Sequence, residues 1–150
     1  MEPDLSTFSK RLRVGECFEF KAIKPLEKIF NAKFISKCYN KDYDLLFQTY
    51  NKKIRVEIKR DYKYTETGNI FIQCATAHTN MSGILTTTAD YYVFFLSDTD
   101  FSLIETKELK KAIHELNPDI KTGNCHDGYI LNYETLKNNY TLREFNLNDF

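Results

Sequence analysis

From Asp42 to Lys63 the chain reads D-Y-D-L-L-F-Q-T-Y-N-K-K-I-R-V-E-I-K-R-D-Y-K. Its second half carries the clearest period. Ile54, Val56 and Ile58 alternate with Arg55, Glu57 and Lys59, and successive side chains of a strand point to opposite faces. The apolar three predict a buried face. The other face sets Glu57 and Lys59 side by side, about 6–7 Å apart. Upstream, Leu45, Phe47 and Thr49 share one face of an earlier strand, and Asp44, Leu46 and Gln48 share the other. Asn51 and Lys52 stand where a turn should join the two, because Asn tolerates left-handed backbone angles. A hairpin closed there brings Asp44 towards Glu57, so two carboxylates and a lysine converge.

Mg²⁺ and Mn²⁺ are held by one or two carboxylates plus water and phosphate oxygens. A neighbouring lysine can position an attacking water or stabilise a pentacoordinate phosphorus. The trio therefore suits phosphodiester hydrolysis. The bland alternative is a cross-strand ion pair on a solvated face. Glu-x-Lys occurs four times, starting at Glu19, Glu57, Glu105 and Glu108. Only the copy at Glu57 follows an Asp-bearing strand. The copies at Glu105 and Glu108 fall around a helix, where residues two apart do not face each other.

With Asp44 in Tyr43-Asp44-Leu45 and Glu57-Ile58-Lys59 thirteen positions on, the chain resembles the PD-(D/E)XK nuclease superfamily, which includes restriction endonucleases, archaeal Holliday junction resolvases and phage and viral nucleases. The runs Glu66–Ile72, Ser82–Ile84 and Thr88–Tyr92 resemble a phage-type branch. The resemblance covers roughly residues 10 to 136. It implies an α/β, restriction-endonuclease-like mixed sheet flanked by helices, and Mg²⁺- or Mn²⁺-dependent hydrolysis of DNA. Asp44, Glu57 and the carbonyl of Ile58 would hold the metal, Lys59 would handle the water, and Glu19 would complete the site. A resolvase-like member would be a homodimer. Three departures stand out: Tyr43 precedes the metal Asp in place of Pro, Gln73 stands where an acid is often found, and no basic residue lies near Thr88. RNA is an alternative substrate, and a non-catalytic nucleic-acid-binding or assembly protein of the same fold is the competing class.

At 150 residues with 12 Phe and 10 Tyr, the chain predicts one globular domain. Residues 1–9 and 141–150 read as flexible or dimer-contacting tails. No apolar run reaches membrane-spanning length, and the start lacks a secretory pattern. Cys17, Cys38, Cys74 and Cys125 are scattered, which reads as reduced thiols in a cytoplasmic protein, viral or phage-encoded proteins in the host cell included. Cys125-His126 is a faint metal hint. Net charge is zero, but residues 1–63 hold 15 Lys and Arg against 9 Asp and Glu, and residues 64–150 hold 6 against 12. The basic half carries the proposed site, which fits a phosphate backbone; ordinary surface charge fits as well.

A helical pattern runs from about Leu12 to Phe30, with Val14, Phe18, Ala22, Leu26 and Ile29 as one stripe. Glu19 falls inside that stripe, where an unpaired carboxylate is costly; Glu16 is the second choice. Lys10–Arg13 adds local positive charge, and Pro25 should break or restart the helix. Lys33–Tyr39 reads as a short strand. Asp42 competes with Asp44, which is preferred because it begins the apolar strand. Residues 60–69 form a polar loop in which Arg60, Lys63, Thr67 and Asn69 are candidate backbone contacts, with Gln73 on the strand beyond. Tyr62 and Tyr64 are candidate base-stacking residues. His78 is a weak catalytic candidate. Tyr91–Leu96 reads as a strand buried on both faces, Phe101–Ile104 as a strand and Thr106–Leu116 as a helix. Lys121–Gly128 is expected as a loop, Tyr129–Tyr133 as the last strand, and a short helix follows from Glu134.

Overall fold

The computed structural model describes residues 6–39 and 42–150, with side chains from residue 15 onward except at 40 and 41. The basic run Lys10–Arg13 and Val14 therefore lie outside the described side chains. Helix α1 (Ser6–Phe30) opens the fold. Phe18, Ala22 and Leu26, four residues apart, are buried and press one stripe onto a sheet. The helix runs through Pro25 as one element, contrary to the expected break. Pro25 is itself buried, so packing offsets the single backbone bond that proline cannot make. Asn31 ends the helix at φ 49°, with the Ala32 N–H donating to the Glu27 carbonyl at 3.0 Å, a left-handed stop.

Six strands form the central sheet in the order β1 (Lys33–Lys37), β2 (Leu45–Gln48), β3 (Lys53–Arg60), β6 (Tyr91–Phe95), β7 (Asp100–Glu105) and β10 (Leu142–Asn146). β3 and β6 run parallel, and the other neighbours are antiparallel. A parallel pair needs a crossover. Here it holds α2 (Tyr64–Thr67), β4 (Asn69–Thr76) and β5 (Asn80–Met81). β4 begins a second, antiparallel sheet in the order β5, β4, β9 (His126–Asn132), β8 (Ile120–Thr122). Helices α3 (Thr106–Leu116) and α4 (Tyr133–Asn139) complete a mixed α/β fold of four helices and two sheets among the described residues.

Two apolar layers result. Leu45, Phe47, Ile54, Val56 and Ile58 meet α1. On the opposite face Tyr92, Phe94 and Ile104 meet Ile70, Ile72 and Leu131 of the second sheet, with Leu109 and Leu136 of α3 and α4. β6 and β7 are thus buried on both faces, as the continuous apolar run of β6 predicts.

Several expectations need correction. Asn51 is not left-handed; the Thr49 N–H donates to the Lys52 carbonyl at 2.9 Å and the Gln48 amide to the same oxygen at 2.9 Å, which closes the loop without a positive φ. Residues 121–128 are not one loop: Lys121 and Thr122 end β8, His126 to Gly128 begin β9, and only 123–125 form the turn between them; β8 is fully exposed and shows no apolar period. Residues 142–146 are a strand paired with β7, not a tail. Phe145 stacks on Phe101 at 5.3 Å and fixes this edge. The loop at 60–69 contains the short helix α2.

Candidate active site

Register puts Leu45 opposite Val56, so Asp44 falls opposite Glu57, just where β2 begins. The Asp44 backbone is tied on both sides: its N–H donates to the Val56 carbonyl at 3.0 Å, and its carbonyl accepts from the Cys38 N–H at 2.9 Å. The next amide of β3 finds no strand opposite. Asp44 Oδ2 accepts it instead, from the Ile58 N–H at 2.7 Å. A strand residue points its N–H and C=O to the same side, so the Ile58 carbonyl faces this gap too.

Glu57 and Lys59 share the face away from α1. Glu57 Oε1 lies 3.2 Å from Lys59 Nζ, and the Glu57 side chain is only 15% exposed. The Asp44 and Glu57 carboxyls lie close enough for the Glu57 charge to act on Asp44. Burial first, and the Glu57 charge second, push the Asp44 carboxyl from 3.8 up to about 6. Glu57 also pairs in register with Tyr92 on β6. Burial, then the Glu57 charge, raises the Tyr92 phenol.

Glu19 reaches the same region from α1. It pairs with Lys37 of β1, Oε2 to Nζ 2.9 Å. Burial raises its carboxyl, the Asp44 charge acts in the same direction, and Lys37 opposes both. Glu19, Lys37, Asp44, Lys59 and Arg60 line one cleft of about 1260 Å³. The cleft's other wall is the β8–β9 turn, Gly123–His126, and Glu16 and Tyr39 sit on the near rim. Asp42 is tied elsewhere, its carbonyl accepting from the Thr87 hydroxyl at 3.1 Å.

Asp44, Glu57, Lys59 and Glu19 therefore come together, whereas most of the expected nucleic-acid contacts do not join them. Arg60 lies in the cleft, where Nη1 donates to the Asp61 carbonyl at 2.9 Å, the group lies over the Tyr62 ring at 4.3 Å and the Phe18 ring at 5.6 Å, and the buried Nε has no hydrogen-bond partner. Lys63 and Thr67 bind each other, the Thr67 hydroxyl donating to the Lys63 carbonyl at 3.0 Å. The Asn69 N–H donates to the Thr67 hydroxyl at 3.1 Å. Gln73 donates to the Thr76 and Ser82 hydroxyls at 3.1 and 2.8 Å, on the face of β4 opposite the buried Ile72 and Cys74. The Thr67 and Gln73 side chains thus staple the crossover, while at Lys63 and Asn69 it is the backbone that is bonded. Tyr64 packs edge-on against Tyr133 at 5.1 Å and is not free to stack on a base. His78 pairs with Asp127 at 2.8 Å, and neither lines the cleft.

Sequence reading missed Lys37, Tyr39, Tyr92 and the wall at residues 123–126. Each arrives through long-range pairing, which local period does not encode; only Cys125-His126 drew notice, as a metal hint. Among the described residues no three His, Cys, Asp or Glu side chains form a ready-made metal cage. Two carboxylates and a backbone carbonyl are an all-oxygen set suited to a hard cation that keeps its waters. No helix is long and apolar enough to cross a membrane among the described residues. The chain matches no protein-family profile, and no curated protein or solved structure is similar enough to match it.

Proposed function

We propose that the protein is a Mg²⁺- or Mn²⁺-dependent DNA nuclease of restriction-endonuclease-like fold. One observation carries the reading: two largely buried carboxyls, Asp44 and Glu57, are pressed together beside Lys59, and Asp44 and Lys59 face an open cleft, with Asp44 driven up to about 6. Like charges so placed are unfavourable without a cation. The order helix, three antiparallel strands, crossover and parallel strand supports the fold assignment.

Asp44, Glu57 and the Ile58 carbonyl would hold the ion. The ion supplies charge neutralisation at the phosphoryl oxygens and acidifies a bound water. Lys59 orients the attacking oxygen and faces the charge that builds at phosphorus. Water oxygen bonds to phosphorus, the bond to the leaving sugar oxygen breaks, and the water's proton ends on that oxygen or in solvent. Glu19, held by Lys37, shapes the second side of the site.

A non-catalytic nucleic-acid-binding role is the second reading. The self-pairing of Glu57 with Lys59 and of Glu19 with Lys37 favours it, because both cations already have partners. Incubating the protein with labelled linear, single-stranded and four-way-junction DNA, and with RNA, separates the two. Metal-dependent cutting of DNA supports the nuclease; binding without cutting in Mg²⁺ or Mn²⁺ overturns it.

A further inference from the structure

The cleft has two walls and little net charge. Among the described residues its acids are Glu16, Glu19 and Asp44, and its bases are Lys37, Lys59 and Arg60. Duplex DNA carries one phosphate charge per about 1.7 Å of axis, and proteins that hold it do so through many basic contacts. The described lining offers no such excess, and three of these charges are in ion pairs. Stacking is an attraction that needs no such excess.

The rim supplies an alternative. Tyr39 follows β1 at the cleft's edge and is 88% exposed. A large ring left that open is not part of either apolar layer. Base faces in a duplex are hidden by stacking and pairing, so a duplex shows a protein only groove edges and phosphates. An unpaired strand exposes its base faces, and a tyrosine ring can stack on them whatever the sequence. Arg60 and Tyr62 add a second aromatic surface beside the floor: the guanidinium covers one face of the Tyr62 ring at 4.3 Å, and the side chain stays largely exposed. The β8–β9 turn closes the far wall. Gly123 is obligatory there, since a Cβ would lie 2.7 Å from the His126 carbonyl.

We infer that this cleft takes a single unpaired DNA strand, with Tyr39 stacking on a base as the strand enters. The inference rests on the nuclease reading for the polymer's identity, and it names the substrate class. It explains a neutral lining around a reactive floor: stacking provides affinity, and the carboxylate pair is kept for the metal.

The test measures binding apart from cutting. Fluorescence anisotropy follows a fluorescein-labelled 12-nucleotide DNA and the matching duplex in Mg²⁺, with Lys59→Ala as the background so that strands stay intact. The single strand is expected to bind at least tenfold tighter than the duplex. Adding Tyr39→Ala weakens the single strand about tenfold, Tyr39→Phe leaves it within twofold, and the log–log salt slope is no steeper than about −2. Thermal melts check that both variants fold, which exposure of Tyr39 leads us to expect. Equal affinities, tighter duplex binding, no binding of either probe, or an inert Tyr39→Ala overturns the inference. The nuclease reading fails differently: the wild-type protein then cuts no DNA in Mg²⁺ or Mn²⁺ while the single-strand preference persists.

Discussion

Replacing Asp44 by asparagine is expected to stabilise the metal-free protein at neutral pH and to abolish its response to Mg²⁺. The amide keeps an oxygen for the Ile58 N–H at 2.7 Å and turns its NH₂ towards Glu57. A repulsive pair becomes a hydrogen bond. The magnitude follows from the Asp44 carboxyl, raised from 3.8 to about 6. At about 1.36 kcal/mol per pH unit the interval corresponds to ~3 kcal/mol. Relaxation of Glu57 and partial solvent contact reduce this, so ~1–3 kcal/mol is expected. Between pH 3.8 and about 6 the native state holds a proton that the unfolded chain has released. Stability from this group therefore falls as pH rises through that window, and the full penalty stands above it. The assay is thermal or urea unfolding of both proteins in EDTA at pH 4 and pH 7.5. The variant should gain at pH 7.5, by about 2–4 °C in Tm per kcal/mol, and lose most of that gain at pH 4. Added Mg²⁺ should raise the Tm of the wild-type protein alone. An asparagine variant less stable than wild type at pH 7.5, or equally affected at both pH values, refutes the reasoning about the carboxylate pair.

Other outcomes test the fold and the corrected contacts. Gly83→Ala should destabilise by ~2–4 kcal/mol, because a Cβ there would lie 2.1 Å from the Gln73 carbonyl at φ +56°; urea unfolding reads it. Deleting residues 142–150 should leave a poorly soluble chain, since it removes β10 and uncovers Phe101; a native-like melt would contradict the edge-strand role. Gln73→Glu should leave metal-dependent cutting within twofold, because Gln73 is held by Thr76 and Ser82 away from the cleft.

How much was legible in the sequence depends on how local the signal was. The alternation at Ile54–Lys59 and the apolar partners at Leu45 and Phe47 were enough to place Asp44 opposite Glu57, because register follows from the buried face. Helix α3 could be read to its ends from Leu109, Ala112 and the Asn117-Pro118 stop. The pairing of the second sheet could not, because β9 meets β4 across 50 or more residues, from Thr76 opposite His126 outward, and β8 joins only through β9 with no buried residue of its own. Arg60, Lys63, Thr67, Asn69 and Gln73 were read as ligand contacts from polarity alone. Polarity does not distinguish a side chain that awaits a phosphate from one already bonded within the fold, as those of Thr67 and Gln73 are. Lys37 gave no signal at all; its role exists only because β1 lies alongside α1.

The most direct test of the central claim is the rate of DNA cleavage by wild-type protein and by Lys59→Ala, with and without Mg²⁺ or Mn²⁺, on the substrate each binds best. Cutting should require the metal and fall about 10²–10⁴-fold in the variant, with DNA binding retained. Cutting that survives EDTA, or that Lys59→Ala leaves unchanged, would contradict a metal-dependent site at Asp44, Glu57 and Lys59.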